Sequence, residues 1–186
     1  MSDLLPCARA RLRRMIGTVV RAERGTAAVE MALIAAPFFM LLFGIIEIGM
    51  IFLISATLEN GMDIAARTIR TGQLQSGGSA TASAFKTSIC NTFGWFQSDC
   101  TSHLSVDVRT YATFAAVTAP QVVQNGTFNS AALTFTPGGP QDIVVVRAYY
   151  RWPLIAPFFD QALQQLSGGS ALLTSTAAFR NEPYGS

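Results

Sequence analysis

The fold of this chain is decided by Met31-Ala-Leu-Ile-Ala-Ala-Pro-Phe-Phe-Met-Leu-Leu-Phe-Gly-Ile-Ile-Glu-Ile-Gly-Met-Ile-Phe-Leu-Ile54. From Met31 to Leu58 the only charged residue is Glu47, and roughly 20 predominantly apolar residues are enough for a helix to cross bilayer hydrocarbon. A buried helix of a soluble protein is rarely apolar on all faces for so long. The stretch therefore predicts a transmembrane helix, which Pro37 is expected to kink or loosen.

Basic charge is concentrated before this helix. Residues 1–25 contain six arginines and two acidic residues, whereas the rest of the chain has seven basic and nine acidic residues. The positive-inside rule then predicts a cytoplasmic N-terminus and an extracytoplasmic C-terminal domain. Because the arginines belong to a leader and not to a folded domain, the charge argues against a nucleic-acid partner. Half of the 186 residues are hydrophobic, which fits one membrane segment plus one small domain.

Two other N-terminal signals fit less well. A conventional signal peptide has a shorter apolar core followed by a small-residue cleavage site. A mitochondrial presequence is arginine-rich and amphipathic, as residues 8–24 partly are, but a fully apolar helix directly behind it is atypical. A single-pass membrane protein remains the better interpretation.

The junction between leader and apolar run is Arg24-Gly-Thr-Ala-Ala-Val-Glu30. A carboxylate costs about 2.5 kcal/mol or more at the centre of a membrane helix, and less near the interface. Glu30 is the fifth residue counted from Thr26, after a basic residue and Gly25, a spacing that resembles the processing site of type IV prepilins. Cleavage would give Thr26 a new amine that pairs with Glu30 of an adjacent chain and sets the register between helices. The alternative is an interfacial carboxylate among lipid headgroups.

The helix is expected to continue outside the membrane as a stalk. One apolar stripe follows the run at i, i+4, i+7, i+8 and i+11 spacing, and consists of Leu58, Met62, Ala65, Ala66 and Ile69. Gly72 is a plausible stop, and residues 76–79 (Ser-Gly-Gly-Ser) are a flexible joint. The predicted organisation is a leader over 1–25, a transmembrane and stalk helix over 26–71, and a globular domain over 72–186.

The C-terminal domain is predicted to be α+β, with a small antiparallel sheet packed against helices. A helix is expected over about 80–93 and another over 156–166. Strands are expected at 104–109, where alternation points Leu104, Val106 and Val108 inward, at 143–152, which Pro153 ends, and at 171–180. A weaker strand is expected at 133–136, within a surface loop over 112–142.

Few residues outside the junction could carry chemistry. Cys90 and Cys100 predict a disulfide if their compartment is oxidising, with two free thiols as the alternative. No metal and no cofactor are expected, because His103 is the only histidine and has no evident acid partner in the sequence, and an enzyme is not predicted. For Glu47 two interpretations stay open: a polar residue tolerated near the outer membrane face, or a contact between subunits. Three arginines are interpreted as solvated residues of strand faces: Arg147, Arg151 and Arg180.

Several segments together resemble the TadE-type minor pilins, or pseudopilins, of Tad (tight-adherence, Flp) pilus systems. They are Arg24-Gly-Thr-Ala-Ala-Val-Glu-Met-Ala-Leu33, Pro37, Phe43-Gly-Ile-Ile-Glu47, Tyr150-Arg-Trp-Pro153 and Arg180-Asn-Glu-Pro-Tyr184. Residues 72–141 carry no matching motif. The resemblance covers both ends of the chain and its strongest strand.

The resemblance implies cleavage between Gly25 and Thr26 by a membrane prepilin peptidase, with Gly25 and Glu30 as recognition residues. The mature chain would prime or cap a pilus that serves adherence and biofilm formation, with other pilin subunits, an inner-membrane assembly platform and membrane lipid as partners. The major Flp-type pilin is very short and nearly all helix, whereas this chain carries a globular domain, which implies a minor or tip role. Two rival hypotheses are an uncleaved bitopic scaffold of a secretion machine and an anchored periplasmic enzyme or ligand-binding module.

Overall fold

The computed structural model describes residues 23–78, 80–155 and 163–184. It contains one long N-terminal helix, short helices and a three-stranded antiparallel sheet, which confirms the predicted α+β class. The helices are α1 (Glu23–Arg70), α2 (Gln73–Ser76), α3 (Ala82–Cys90) and α4 (Gln97–His103). The strands are β1 (Leu104–Tyr111), β2 (Val123–Gln124), β3 (Thr127–Phe128), β4 (Ile143–Pro153) and β5 (Ser170–Arg180).

Contacts divide the chain into a first unit, residues 1–45, and a second unit, residues 46–186. In the first unit the described residues are helical, and their large apolar side chains are exposed. In the second unit the helix buries a stripe against the core, comprising Ile54, Leu58, Met62, Ala65 and Ile69. The helix therefore exposes apolar side chains in the first unit, whereas in the second unit it is amphipathic and buries one face.

The sheet of the second unit has strand order β1-β4-β5, with both pairings antiparallel. One of its faces packs on α1 and α3 through alternate residues such as Val106, Val146 and Ala148. The other face of β4, including Val145 and Tyr149, is buried as well. Burial on both faces explains why β4 is a nearly continuous apolar run and does not alternate.

The segment 112–142 covers that second face. It contains the small β2–β3 hairpin, 3₁₀ turns at Phe114–Ala116 and Ser130–Ala132, and a parallel bridge between Val108 and Phe135. The weak strand expected at 133–136 is therefore wrong as a strand. Two backbone hydrogen bonds, both with Val108, hold residues 134 and 136 beside β1. The chain then turns away from β1, so the contact is too short to form a strand.

Several element boundaries differ from those expected. The helix expected over 80–93 ends at Cys90 and continues as a 3₁₀ helix, Asn91–Phe96, in which Gly94 turns at φ 55°. The helix α4 was not predicted, because its sequence, Gln-Ser-Asp-Cys-Thr-Ser-His, has no apolar period. β1 runs to Tyr111. Most of the helix expected over 156–166 lies outside the described residues, as do Ser79 and residues 1–22 of the leader, including Cys7.

The C-terminal Asn-Glu-Pro-Tyr segment closes the end of α1. The backbone N–H of Glu182 donates to the free carbonyl of Arg70 at 2.8 Å, and the two side chains form an ion pair at 3.3 Å. The side-chain amide of Asn181 donates to the carbonyls of Pro137 and Gly139. A helix end leaves carbonyls without intrahelical partners, so this tail supplies one of the missing donors.

Gly72 is the position on which this closure depends. Its φ is 75°, and a Cβ built there would lie 2.3 Å from Cγ of Tyr184. Left-handed backbone costs a residue with a Cβ about 1–2 kcal/mol. Gly78, at φ 66°, has the same backbone requirement but nothing within 4 Å of its position for a Cβ.

We expect Gly72→Ala to lower the free energy of unfolding clearly more than Gly78→Ala, which should show only the backbone term of about 1–2 kcal/mol. Thermal and denaturant unfolding of the detergent-solubilised protein would measure both. In a Tyr184→Ala background the excess cost of Gly72→Ala should disappear. Equal effects of the two glycine substitutions in the native background would contradict the packing of Tyr184 on Gly72.

Candidate functional site

The candidate site is the N-terminal half of α1, whose surface is apolar and exposed. From Thr26 to Ile46 the only charged residue is Glu30, which is exposed. Large side chains along this stretch stand free of the rest of the chain, with Met31 69% and Leu33 71% exposed. With Met31 as the first residue in the hydrocarbon, crossing its roughly 30 Å takes about 20 helical residues at 1.5 Å each.

The predicted processing junction lies in the first turns of α1. The helix begins at Glu23, so Gly25 and Thr26 are both helical in the unprocessed chain. Thr26 and Glu30 are four residues apart and therefore share one helix face. Both are exposed, and the face they share is open to a neighbouring molecule.

Pro37 lies inside α1, which is assigned as continuous from Glu23 to Arg70. Proline has no N–H, so the carbonyl of Leu33 loses its usual donor from four residues ahead. Membrane helices tolerate such a gap when neighbouring groups supply a partner. The functional role of Pro37 stays a prediction.

Glu47 lies in a very different environment from Glu30. Its side chain is only 3% exposed, and it accepts hydrogen bonds from Nε1 of Trp152 at 3.1 Å and from the backbone N–H of Ile155 at 3.0 Å. Trp152 lies near the end of β4, more than 100 residues along the chain. Neither interpretation drawn from the sequence included this acceptor role within the chain. Only the charge of Glu47 inside an apolar run signalled that it needed a partner.

The structure joins Cys90 and Cys100 by a disulfide, with both residues fully buried. The bond closes a loop that carries Trp95, whose side chain is 89% exposed and contacts Phe96 with the two rings tilted by 49°. The loop starts at the end of α3 and returns into α4. The covalent closure and the Gly94 turn together present one large aromatic side chain at the surface.

His103 has an acid partner that its sequence position did not reveal. Nδ1 of His103 lies 3.1 Å from Oδ1 of Asp99, one turn earlier on α4. The hydroxyl of Tyr150 donates to the same carboxylate. Burial raises the pKa of Tyr150, and the hydrogen bond to Asp99 adds to that rise. Because Tyr150 is completely buried in the core, the contact serves to tie α4 to β4.

The interpretation of Arg147 as a solvated residue is wrong. Arg147 is 5% exposed, and Nη1 lies 3.4 Å from the fully buried carboxylate of Asp107. Its other terminal nitrogen donates to the carbonyl of Thr118. Asp107 also accepts from Nε of Arg109 at 2.9 Å and from the backbone N–H of Thr134. The local pattern of β4 did not reveal this network, because the partners of Arg147, Asp107 and Thr118, lie 40 and 29 residues away.

The other two arginines differ from each other. Arg180 is exposed, as predicted. Arg151 is half-buried, with its guanidinium 5.5 Å from the ring centre of Phe128. This cation–π contact helps to hold the β2–β3 hairpin against the sheet.

Among the described residues there is no group of three or more His, Cys, Asp or Glu side chains that could hold a metal ion. One helix there, Thr26–Arg70, is long and apolar enough to cross a membrane. The geometry therefore defines a class: a chain with a single candidate membrane helix and a small α+β second unit.

A family model described as TadE-like protein matches residues 25–67. This match confirms the TadE-like resemblance over residues 25–67, which is consistent with a Tad pilus protein, and does not extend to the Tyr150–Pro153 and Arg180–Tyr184 segments. No curated protein and no solved structure is similar enough to the chain to count as a match.

We expect Glu47→Ala to destabilise the second unit. The substitution removes the acceptor for the indole N–H of Trp152 and the backbone N–H of Ile155, and an unsatisfied buried donor costs about 1–3 kcal/mol. Glu47→Gln keeps one carbonyl oxygen and should have a smaller effect. The matched control is Glu59→Ala on an exposed position of the same helix, expected within about 0.5 kcal/mol of wild type. The midpoint of thermal unfolding is the measurement, and equal midpoints for the two alanine variants would contradict the role of Glu47.

Proposed function

We propose that this chain is a minor pilin of a Tad-type pilus. A prepilin peptidase cuts between Gly25 and Thr26 on the cytoplasmic face, and the mature chain primes or caps a fibre that serves adherence. The observation that carries the proposal is the TadE-like match, which begins at Gly25 and covers most of α1. The matched segment thus starts at the junction that the Gly25–Glu30 spacing predicts.

The separation of the chain into two units supports a pilin-like organisation, in which an apolar helix anchors and packs the subunit and a globular unit follows it. Residues 26–45 have large apolar side chains and no described core of their own, whereas the second unit has a closed core. An isolated helix with such a surface requires lipid or other helices around it. A membrane before assembly and a bundle of subunit helices after assembly both meet that requirement.

The proposed orientation follows from the arginines of residues 1–25, which retain the N-terminus in the cytoplasm. The second unit is then periplasmic, where the Cys90–Cys100 disulfide is stable. Its proposed partners are other pilin subunits, the peptidase, the inner-membrane assembly platform and lipid. The function is structural, and the proposal includes no catalytic residue.

Glu30 is proposed to set the axial register of packed subunits. After cleavage the amine of Thr26 and the carboxylate of a neighbouring Glu30 would carry opposite charges at the same end of the helix bundle. In an apolar setting, pairing offsets the desolvation of both groups, although the net gain is modest. An unpaired carboxylate is more costly there than a paired one, so misaligned helices are disfavoured.

The processing step is tested by the mass of the chain isolated from membranes that contain an active prepilin peptidase. We expect a mature N-terminus at Thr26, and Gly25→Val should block its formation by placing a branched side chain at the cut. Gly49→Ala is the matched control, since nothing lies within 4 Å of its Cβ position, and should be cut normally. An intact Met1 in wild type beside a correctly processed major pilin would reject the proposal and favour an uncleaved bitopic scaffold.

The register role is tested separately by Glu30→Ala. We expect membrane insertion and cleavage to persist, while the chain recovered in sheared pili falls at least tenfold. Removal of the exposed Glu59 by Glu59→Ala should leave recovery unchanged, because that carboxylate lies outside the apolar stretch. Normal recovery of the Glu30→Ala chain in pili would show that the carboxylate has no assembly role.

A further inference from the structure

The first residues of α1 that belong to the second unit also carry exposed apolar side chains. Ile46, Ile48, Phe52 and Leu53 are exposed by 52%, 43%, 70% and 54%. The one carboxylate among them, Glu47, is buried. The next exposed ionisable side chain along α1 is Glu59. Polar surface on the helix therefore begins only after Leu53.

Two further apolar side chains of the second unit flank this part of α1. Ile155 is 71% exposed, and its backbone N–H is bonded to Glu47. Trp95, at 89% exposed, lines a cleft of about 270 Å³ together with Leu53 and Thr57. We define the base of the second unit as Ile46, Ile48, Phe52, Leu53, Trp95 and Ile155.

The positions of these residues along the axis of α1 follow from the rise of the helix per residue. From Glu47 to Leu53 the axial rise is about 9 Å, and from Glu47 to Thr57 about 15 Å. Ile155 is attached at the level of Glu47, and Trp95 lies beside Leu53 and Thr57. Trp95 is therefore roughly 9–15 Å farther along α1, away from the N-terminus, than Ile155.

We propose that the base of the second unit enters the outer leaflet of the membrane, with Ile155 at hydrocarbon depth and Trp95 at the headgroups. The inference rests on the membrane anchoring proposed above and adds that the globular unit itself binds lipid. Tryptophan is enriched at the membrane–water interface because its ring is amphipathic. The six side chains that define the base are uncharged.

Lipid is favoured over a protein partner because Ile46 directly follows, in sequence, the predominantly apolar residues 26–45 of the proposed span. The segment from Met31 to Leu53 extends about 34 Å as a helix, which crosses roughly 30 Å of hydrocarbon at an ordinary tilt. Glu47 then lies at hydrocarbon depth, where an unpartnered carboxylate is costly. Its hydrogen bonds from Trp152 and Ile155 supply the donors that lipid cannot.

The test is the quenching of tryptophan fluorescence by spin-labelled lipid in phosphatidylcholine–phosphatidylglycerol vesicles containing the full chain. Wild type and Trp95→Phe are compared, so that the signal of the buried Trp152 is subtracted. We expect the Trp95 component to be quenched at least twofold more by lipid labelled at carbon 5 than by lipid labelled at carbon 12. Iodide in the aqueous phase should quench this component weakly.

Two further variants in the Trp95→Phe background give the depth scale. Ile155→Trp should reverse the preference, with carbon-12 label quenching at least as strongly as carbon-5 label. Glu59→Trp, placed beyond the apolar surface, should be quenched by iodide and by neither lipid. Thermal unfolding of each variant verifies that the second unit is folded.

The inference is overturned if Trp95 is quenched by iodide and by neither labelled lipid while the chain floats with the vesicles. It is also overturned if Trp95 is shielded from iodide only at high protein-to-lipid ratio without lipid quenching, because the base would then bind a second protein. Flotation of the chain with vesicles distinguishes failure of the membrane anchoring from failure of lipid binding by the base. A chain that does not float with vesicles contradicts membrane anchoring itself, and with it this inference.

Discussion

A carboxylate within an apolar helix must have hydrogen-bond donors, and in this protein the end of the central strand provides them. Glu47 accepts from the indole of Trp152 and from the N–H of Ile155. Because an unsatisfied buried charge is far more costly than a satisfied one, this contact fixes where α1 meets β4. The stripe from Ile54 to Ile69 is then placed correctly over the sheet.

The opposite end of α1 is held by equally specific contacts. Glu182 caps the carbonyl of Arg70, and Tyr184 packs on Gly72. Within the second unit, the helix is therefore tied to β4 near its start and to the C-terminal tail near its end.

Much of this fold could be predicted because its signals are local. The stripe Leu58, Met62, Ala65, Ala66 and Ile69 is helical as its spacing predicted, although it is buried in the core of its own chain and does not form a free stalk. The three strands of the sheet lie close to their expected bounds. Helical and strand periods are properties of neighbouring residues, so one sequence is enough to read them. The exposed apolar helix before Ile46 could likewise be predicted from its continuous apolar sequence.

The contacts that could not be predicted join residues far apart in sequence. The partners of Glu47 lie more than 100 residues away, and Arg147 is buried only because the segment 112–142 folds over β4. For Glu47 the local pattern signals the need for a partner without identifying it, and for Arg147 it does not distinguish burial from exposure. The acidic partner of His103 is a different case, since Asp99 is one turn away but α4 has no apolar period to mark it as a helix.

The central claim is that Glu47 joins α1 to the sheet through Trp152 within one chain. A double-mutant cycle with Glu47→Leu and Trp152→Phe, read as free energies of unfolding in detergent, tests it most directly. A hydrogen bond to a charged group predicts a coupling of about 1.5–3 kcal/mol. Additive effects, with a coupling of less than about 0.5 kcal/mol, would contradict the claim and return Glu47 to a role outside its own chain.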